Sequence, residues 1–272
     1  MRARTGWIEA GGARLEWARW GEGRAAGGPV LVLLHEGLGC VALWRDVPAA
    51  LAEMTGLEVF AWSRAGYGRS SPAPLPRPLD YMTREAVEVL PEVLAGLGDR
   101  PIVLIGHSDG ATIAAEYAGR VRDRRLAGLV LIAPHFFTEA EGLAEIAAAR
   151  MAFENGDLRA RLGKYHRDPD NAFRGWNEVW LSPGFRGWNV ADVIEGWSVP
   201  CLAIQGLADP YGTLAQLREI EARSPAQVEV LTIEGARHAP HLEAPGETLP
   251  AIAAFVAGIG SMGGNDMQNT AK

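Results

Sequence analysis

The sequence predicts an α/β fold with a mostly parallel sheet. Three features carry this: apolar runs of strand length, helix-spaced stretches between them, and a glycine-flanked serine at one strand-to-helix junction. Continuous apolar runs fit strands buried on both faces, as parallel sheets require. Strands that alternate with helices imply crossover units, with helices covering the sheet on both sides. The 272 residues, 48% of them apolar, suffice for one large core carrying an insertion.

Two alternating runs come first, Trp7 to Ala10 and Leu15 to Trp20, with Gly11 and Gly12 between them. Glycine accepts the positive φ of a tight hairpin turn, so these read as a β-hairpin. Val30 to Leu34 is a fully apolar strand, and Leu57 to Trp62, Ile102 to Ile105, Leu129 to Ile132, Cys201 to Ile204 and Val228 to Ile233 follow it. Helical spacing occupies 43–54, 83–97, 109–121, 213–223 and 246–257. From His135 to about Gly196 no good strand occurs. There, residues 139–153 are expected to be helical with Leu143, Ile146, Ala147 and Met151 on one side, followed by Tyr165, Phe173, Trp176, Trp180, Phe185 and Trp188. This insert leaves just after Ile132-Ala133-Pro134, at a carboxyl end of the sheet, where ligands of open α/β sheets bind. It is therefore expected to be a lid. The expected division is 1–134 and 197–258 as core, 135–196 as helical cap and 259–272 as a mobile tail.

Formal net charge is −7, which argues against a nucleic-acid partner. Cys40 and Cys201 lie in or beside apolar runs, so both are expected to be small buried core residues and not a disulfide. The first residues lack the apolar stretch of a secretory signal, and no run approaches the ~18 apolar residues of a membrane span. A cytoplasmic protein acting on a small molecule, away from membranes, is expected. Oligomeric state stays open.

The strongest chemical signal is Gly106-His107-Ser108-Asp109-Gly110, between the strand Ile102 to Ile105 and an alanine-rich helix. That context is what G-x-S-x-G needs to form a nucleophile elbow, with the serine hydroxyl exposed at a strained tip. A serine needs a base. Of the six histidines, His107 turns away, His35 follows an earlier strand, and His135 and His166 fall in the insert. His238 lies just past the last strand at the same carboxyl edge, with His241 as a weaker rival. The base needs an acid, and Asp209 is the only carboxylate between Glu195 and Glu219. The order Ser108, Asp209, His238 suits this kind of site. The pair His238 and His241 has an H-x-x-H spacing, but no third ligand is near, so no metal is expected. The expected oxyanion donors are the backbone N–H groups of Asp109 and Gly37, with Leu38 second. Glu36, His107, Trp176 and Trp180 are expected on the substrate pocket.

These residues resemble the α/β-hydrolase superfamily over about residues 6–258. Ser63-Arg64-Ala65-Gly66-Tyr67-Gly68-Arg69-Ser70 is similar to that family's D-x-R-G-x-G-x-S loop. Two departures stand out: Glu36 replaces the first glycine of the usual oxyanion loop, and Arg237 the second glycine of the usual G-x-G-H. The resemblance implies an eight-stranded sheet, a cap inserted after the sixth strand and no cofactor. A serine at the elbow argues against epoxide hydrolase and haloalkane dehalogenase activities. Glu36 and Asp109 each oppose a developing oxyanion by about 4 kcal/mol if ionised, inward-pointing and ~4 Å away. Their side chains are expected to turn away or to bind local donors such as Arg64.

The expected reaction is hydrolysis of a carboxylic ester or thioester with a fairly apolar part, through an acyl-enzyme on Ser108. Three alternatives remain. One is an aminopeptidase like the proline iminopeptidases, with Glu141, Glu145, Glu154 or Glu178 holding a substrate ammonium. The others are a carbon–carbon bond hydrolase and a ligand-binding receptor on the same fold.

Overall fold

The computed structural model describes residues 1–22 and 28–266. Its centre is an eight-stranded sheet in the order β1-β2-β4-β3-β5-β6-β7-β8. The strands are β1 (Arg4–Ala10), β2 (Ala13–Trp20), β3 (Val30–Leu34), β4 (Glu58–Trp62), β5 (Ile102–His107), β6 (Leu126–Ile132), β7 (Cys201–Gly206) and β8 (Val228–Ile233). β1 and β2 form the expected hairpin, turning through Gly11 and Gly12 at φ of 58° and 68°. β2 joins β4 antiparallel, and all pairings from β4 to β8 are parallel.

Side chains alternate across this sheet with period two. Val32, Leu34, Leu104, Leu129 and Leu131 face one core cluster, together with the helices Asp109–Arg120 and Ala215–Arg223. Leu31, Leu33, Val103, Ile105 and Val130 face the other, under Val47–Thr55 and Pro245–Asp266. The three central strands β3, β4 and β5 are buried along their whole length, which is why they read as continuous apolar runs. β8, at an edge, is mostly part-exposed.

Some elements differ from expectation. The single helix expected over 83–97 is broken into Tyr81–Arg84, a π-helical turn Glu85–Val89 and Leu90–Ala95. Pro91 has no N–H to return to the preceding turn, and a wider turn accommodates that loss. The insert helix Ala140–Asn155 buries Gly142, Ile146 and Phe153, whereas Met151 is 58% exposed. Gly142 sets this face: a Cβ there would collide with the Tyr211 carbonyl. The backbone of the last helix continues past Gly260 to Asp266, and the rest of the expected mobile tail, 267–272, lies outside the described residues. Cys40 and Cys201 are both free and buried. No helix among the described residues is long and apolar enough to cross a membrane.

Candidate active site

Ser108 caps the helix Asp109–Arg120 at φ 53° and ψ −118°, a left-handed conformation that a side-chain-bearing residue adopts only under constraint. The constraint is visible at both flanking glycines. A Cβ on Gly106 would strike the backbone of Gly110 and Ala111, and one on Gly110 would strike the Leu34 carbonyl. The turn is thus packed between β3 and its own helix, and the Ser108 N–H donates to Ile132 O at 2.9 Å.

The β7 end and the loop after β8 bring Asp209 and His238 together. His238 Nδ1 lies 2.8 Å from Asp209 Oδ2. Asp209 is further held by the Tyr211 N–H at 2.8 Å and by Gln205 Nε2 at 2.6 Å. Burial alone raises the Asp209 pKa, but the His238 hydrogen bond and charge, with the Tyr211 N–H, bring it below the usual carboxylate range. His238 and Ser108 line the same cleft; among the described residues no hydrogen bond joins Ser108 Oγ to His238. His241, the rival base, is 2% exposed and packs between Trp44 and His107, with ring centroids at 5.1 and 4.6 Å. Asp209 does not bond it. Among the described residues, no group of three or more His, Cys, Asp or Glu is placed to hold a metal ion.

The loop after β3 is braced from behind. His35 Nδ1 donates to Glu36 O at 2.7 Å, and Arg64 donates to the carbonyls of His35 and Glu36 at 2.5 and 3.0 Å. Burial first, then the Arg64 charge, keeps His35 well below the usual histidine range, so it stays a neutral brace. With those carbonyls tied back, the N–H groups of Gly37, Leu38 and Asp109 have no protein acceptor among the described residues, and all three residues line the cleft. Arg64 therefore serves carbonyls and not the carboxylates of Glu36 or Asp109, contrary to expectation. The Asp109 carboxylate accepts from the Tyr81 hydroxyl, which in turn accepts from Trp180 Nε1 at 3.1 Å. Burial raises the Asp109 pKa despite Arg64 and the Tyr81 bond. The Glu36 carboxylate lies 3.5 Å from His107 Nδ1. Burial would raise its pKa, but the His107 hydrogen bond and charge hold it well below the usual range.

The cleft encloses a cavity of about 110 Å³. Its apolar wall comprises Leu38, Leu143, Ile146, Trp176, Trp180 and Tyr211. Glu36, Trp176 and Trp180 line this cleft. His107 is not on the wall: it is 3% exposed and turned behind His238, because β5 directs alternate side chains to opposite faces. The insert's other aromatics mostly pack on one another, as Phe153 on Phe173 and Phe185 on Trp188, with centroids at 3.9 and 4.9 Å. Glu141, Glu145, Glu154 and Glu178 are absent from the wall. Glu139 is present, but Thr213 and Gln216 already bind its carboxylate.

Sequence reasoning did not name His135, Glu139, Gly142, Leu143, Ile146 or Tyr211 as wall residues. Tyr211 packs against His238, tilted by 45° with ring centroids 4.7 Å apart; its signal was its place two residues after Asp209. His135 lies 5.6 Å from His238, ring to ring, and its place directly after β6 was the available signal. Trp176 also crosses to the core: a Cβ on Gly37 would collide with its indole.

Among known proteins, the chain is 32% identical over 115 residues to 1-acylglycerol-3-phosphate O-acyltransferase ABHD5 of Sus scrofa, covering 42% of this chain and 32% of that one. The chain thus spans about a third of the length of that curated relative. The proline iminopeptidase of Mycobacterium smegmatis superposes with TM-score 0.73 at 21% identity, over 95% of this chain and 98% of that one. An esterase of Thermogutta terrifontis superposes with TM-score 0.68 at 22% identity, over 94% and 99%. Such identities speak for the fold alone. A family model described as alpha/beta hydrolase matches residues 31–251, and on that match the chain belongs to the alpha/beta hydrolase family.

Proposed function

We propose that this chain is a serine hydrolase that cleaves a carboxylic ester or thioester of a small to medium, fairly apolar substrate through an acyl-enzyme on Ser108. The observation that carries the reading is the Asp209–His238 hydrogen bond, opening onto the one cleft that also holds the strained Ser108.

His238 takes the hydroxyl proton through Nε2 as Ser108 Oγ attacks the carbonyl carbon. Asp209 fixes the tautomer through Nδ1 and stabilises the imidazolium that forms. The oxyanion receives the N–H groups of Gly37 and Asp109, with Leu38 as a further donor; each such bond contributes about 3 kcal/mol to the transition state. The alcohol or thiol leaves with the proton from His238, and water then attacks the acyl-enzyme by the same route in reverse. The insert acts as a cap whose Trp176 and Trp180 receive the apolar part of the substrate. Among the described residues the wall includes Glu36, Asp109 and Glu139 but no Lys or Arg, which favours an uncharged acyl group over an anionic one.

Purified protein should release acid from short p-nitrophenyl esters, and only poorly from the corresponding hemisuccinate. A fluorophosphonate probe should label the intact protein and fail on Ser108→Ala. His238→Ala should lower kcat by at least about 10³-fold. Labelling that survives Ser108→Ala would remove the nucleophile, and no turnover of esters, thioesters or amides would favour a ligand-binding role.

A further inference from the structure

His107 joins three parts of the site. It ends β5 beside Ser108, its Nε2 lies 2.7 Å from the His238 carbonyl oxygen, and its Nδ1 lies 3.5 Å from Glu36 Oε2. A carbonyl oxygen only accepts, so Nε2 carries a proton. Nδ1 is buried and makes no well-formed hydrogen bond, yet a carboxylate oxygen stands in front of it. Two lone pairs facing each other there repel; one proton between them turns the contact into attraction.

We propose that His107 and Glu36 share that proton and form a clamp that positions the His238 loop over Ser108. Both ends of the clamp are rigid. His107 belongs to a central strand buried along its whole length, and the Glu36 backbone is braced by His35 and Arg64. The clamp therefore fixes the His238 backbone relative to the nucleophile and to the oxyanion loop at once. It also gives a reason for a glutamate where the family usually has glycine. The charge of His107 lowers the Glu36 pKa against the effect of burial. The other titratable groups facing the pair are His35, His166 and Cys40 beside Glu36, and His238, His241 and His135 beside His107. Burial, the largest cause in each, lowers the pKa of His35, His241 and His135, so none of these three carries a competing charge near neutral pH.

The clamp has two readouts. Its kinetic consequence rests on the serine-hydrolase reading; its proton does not. In protein labelled with ¹⁵N-histidine, the shifts of His107 near neutral pH should show both ring nitrogens protonated, and Glu36→Gln should return Nδ1 to the unprotonated form. On a p-nitrophenyl ester, His107→Leu and Glu36→Gln should lower kcat about tenfold to 100-fold, with KM changed less than about twofold, as misplacement of a general base demands. His107→Gln, whose amide can still donate to the His238 carbonyl, should recover part of the loss. An unprotonated Nδ1 in the wild-type protein overturns the clamp, as does a His107→Leu variant that turns over like the wild type. Failure of the hydrolase reading would show separately, as absence of fluorophosphonate labelling at Ser108, and the ¹⁵N shifts would still decide the clamp.

Discussion

His135 stands in the cleft wall as a neutral imidazole. Burial first, and then the His238 charge, push its pKa down to about 3. In the unfolded chain a histidine titrates near ~6.5. Between those values the unfolded chain binds a proton that the folded chain refuses, so this residue makes stability fall as pH falls through that window. From about pH 7 to about pH 5 the loss is about 2 kcal/mol. His135→Gln removes the titration, so the wild-type-minus-variant unfolding free energy, from urea denaturation, should drop by about that amount on acidification. A pH-independent difference would mean that His135 accepts its proton inside the fold. Gly37 shows the other kind of residue-scale constraint. A methyl group there meets the Trp176 indole, so Gly37→Ala must displace either the Trp176 side chain or the loop that carries the proposed oxyanion donors. Its signature should be a lower kcat on p-nitrophenyl esters with stability nearly unchanged, because the indole can retreat into the cleft; a fall in stability alone would place the strain elsewhere.

The elbow shows how an element is held in a conformation its central residue disfavours. Ser108 keeps its positive φ because β3, β5 and the helix Asp109–Arg120 close around it. Gly106→Ala or Gly110→Ala would drive a methyl group into backbone that cannot give way, with an expected cost of about 1–3 kcal/mol and loss of fluorophosphonate labelling. Gly246, with open space around its Cβ direction, is the control: Gly246→Ala should be neutral or slightly stabilising. Equal losses at all three positions in thermal melts would contradict this account. The elbow was legible in the sequence because its requirements are local: a buried strand, two glycines, a helix. The strands β3 to β7 were legible because burial makes them mostly apolar, with polar exceptions such as Glu58, His107 and Gln205 at or near strand ends. Pro91 was visible, but the π-turn it imposes was not, because periodicity averages over single turns. The Tyr81–Asp109–Trp180 chain was hidden for another reason. Its members come from three elements, one of them in the insert, and only the docking of insert on core brings them together. The same holds for Tyr211 and His238, and for the exposure of Met151, whose helix is turned by contact with the Tyr211 loop.

At the scale of the whole molecule, the question is whether insert and core fold as separate bodies. Phe153, Phe173, Trp176, Trp180 and Phe185 of the insert belong to the same apolar cluster as Leu34, Leu104, Ala111 and Leu131 of the core. Polar ties cross the same boundary: Trp180 to Tyr81, Asn171 to Ala73, His166 to Gly68 and Leu38. The two ends of the insert also meet, through a bridge between Phe137 and Asn189 and a bond from Val190 N–H to Phe136 O at 2.7 Å. A body that shares its apolar interior with its neighbour cannot melt without exposing that neighbour's core. Calorimetry should therefore record one unfolding endotherm. Trp180→Ala, which empties a 4%-exposed site and cuts the bond to Tyr81, should cost about 3–5 kcal/mol and move that single endotherm down by several degrees. Two endotherms, with the variant shifting only the smaller, would show that the cap opens on its own and that the cleft is gated by its unfolding.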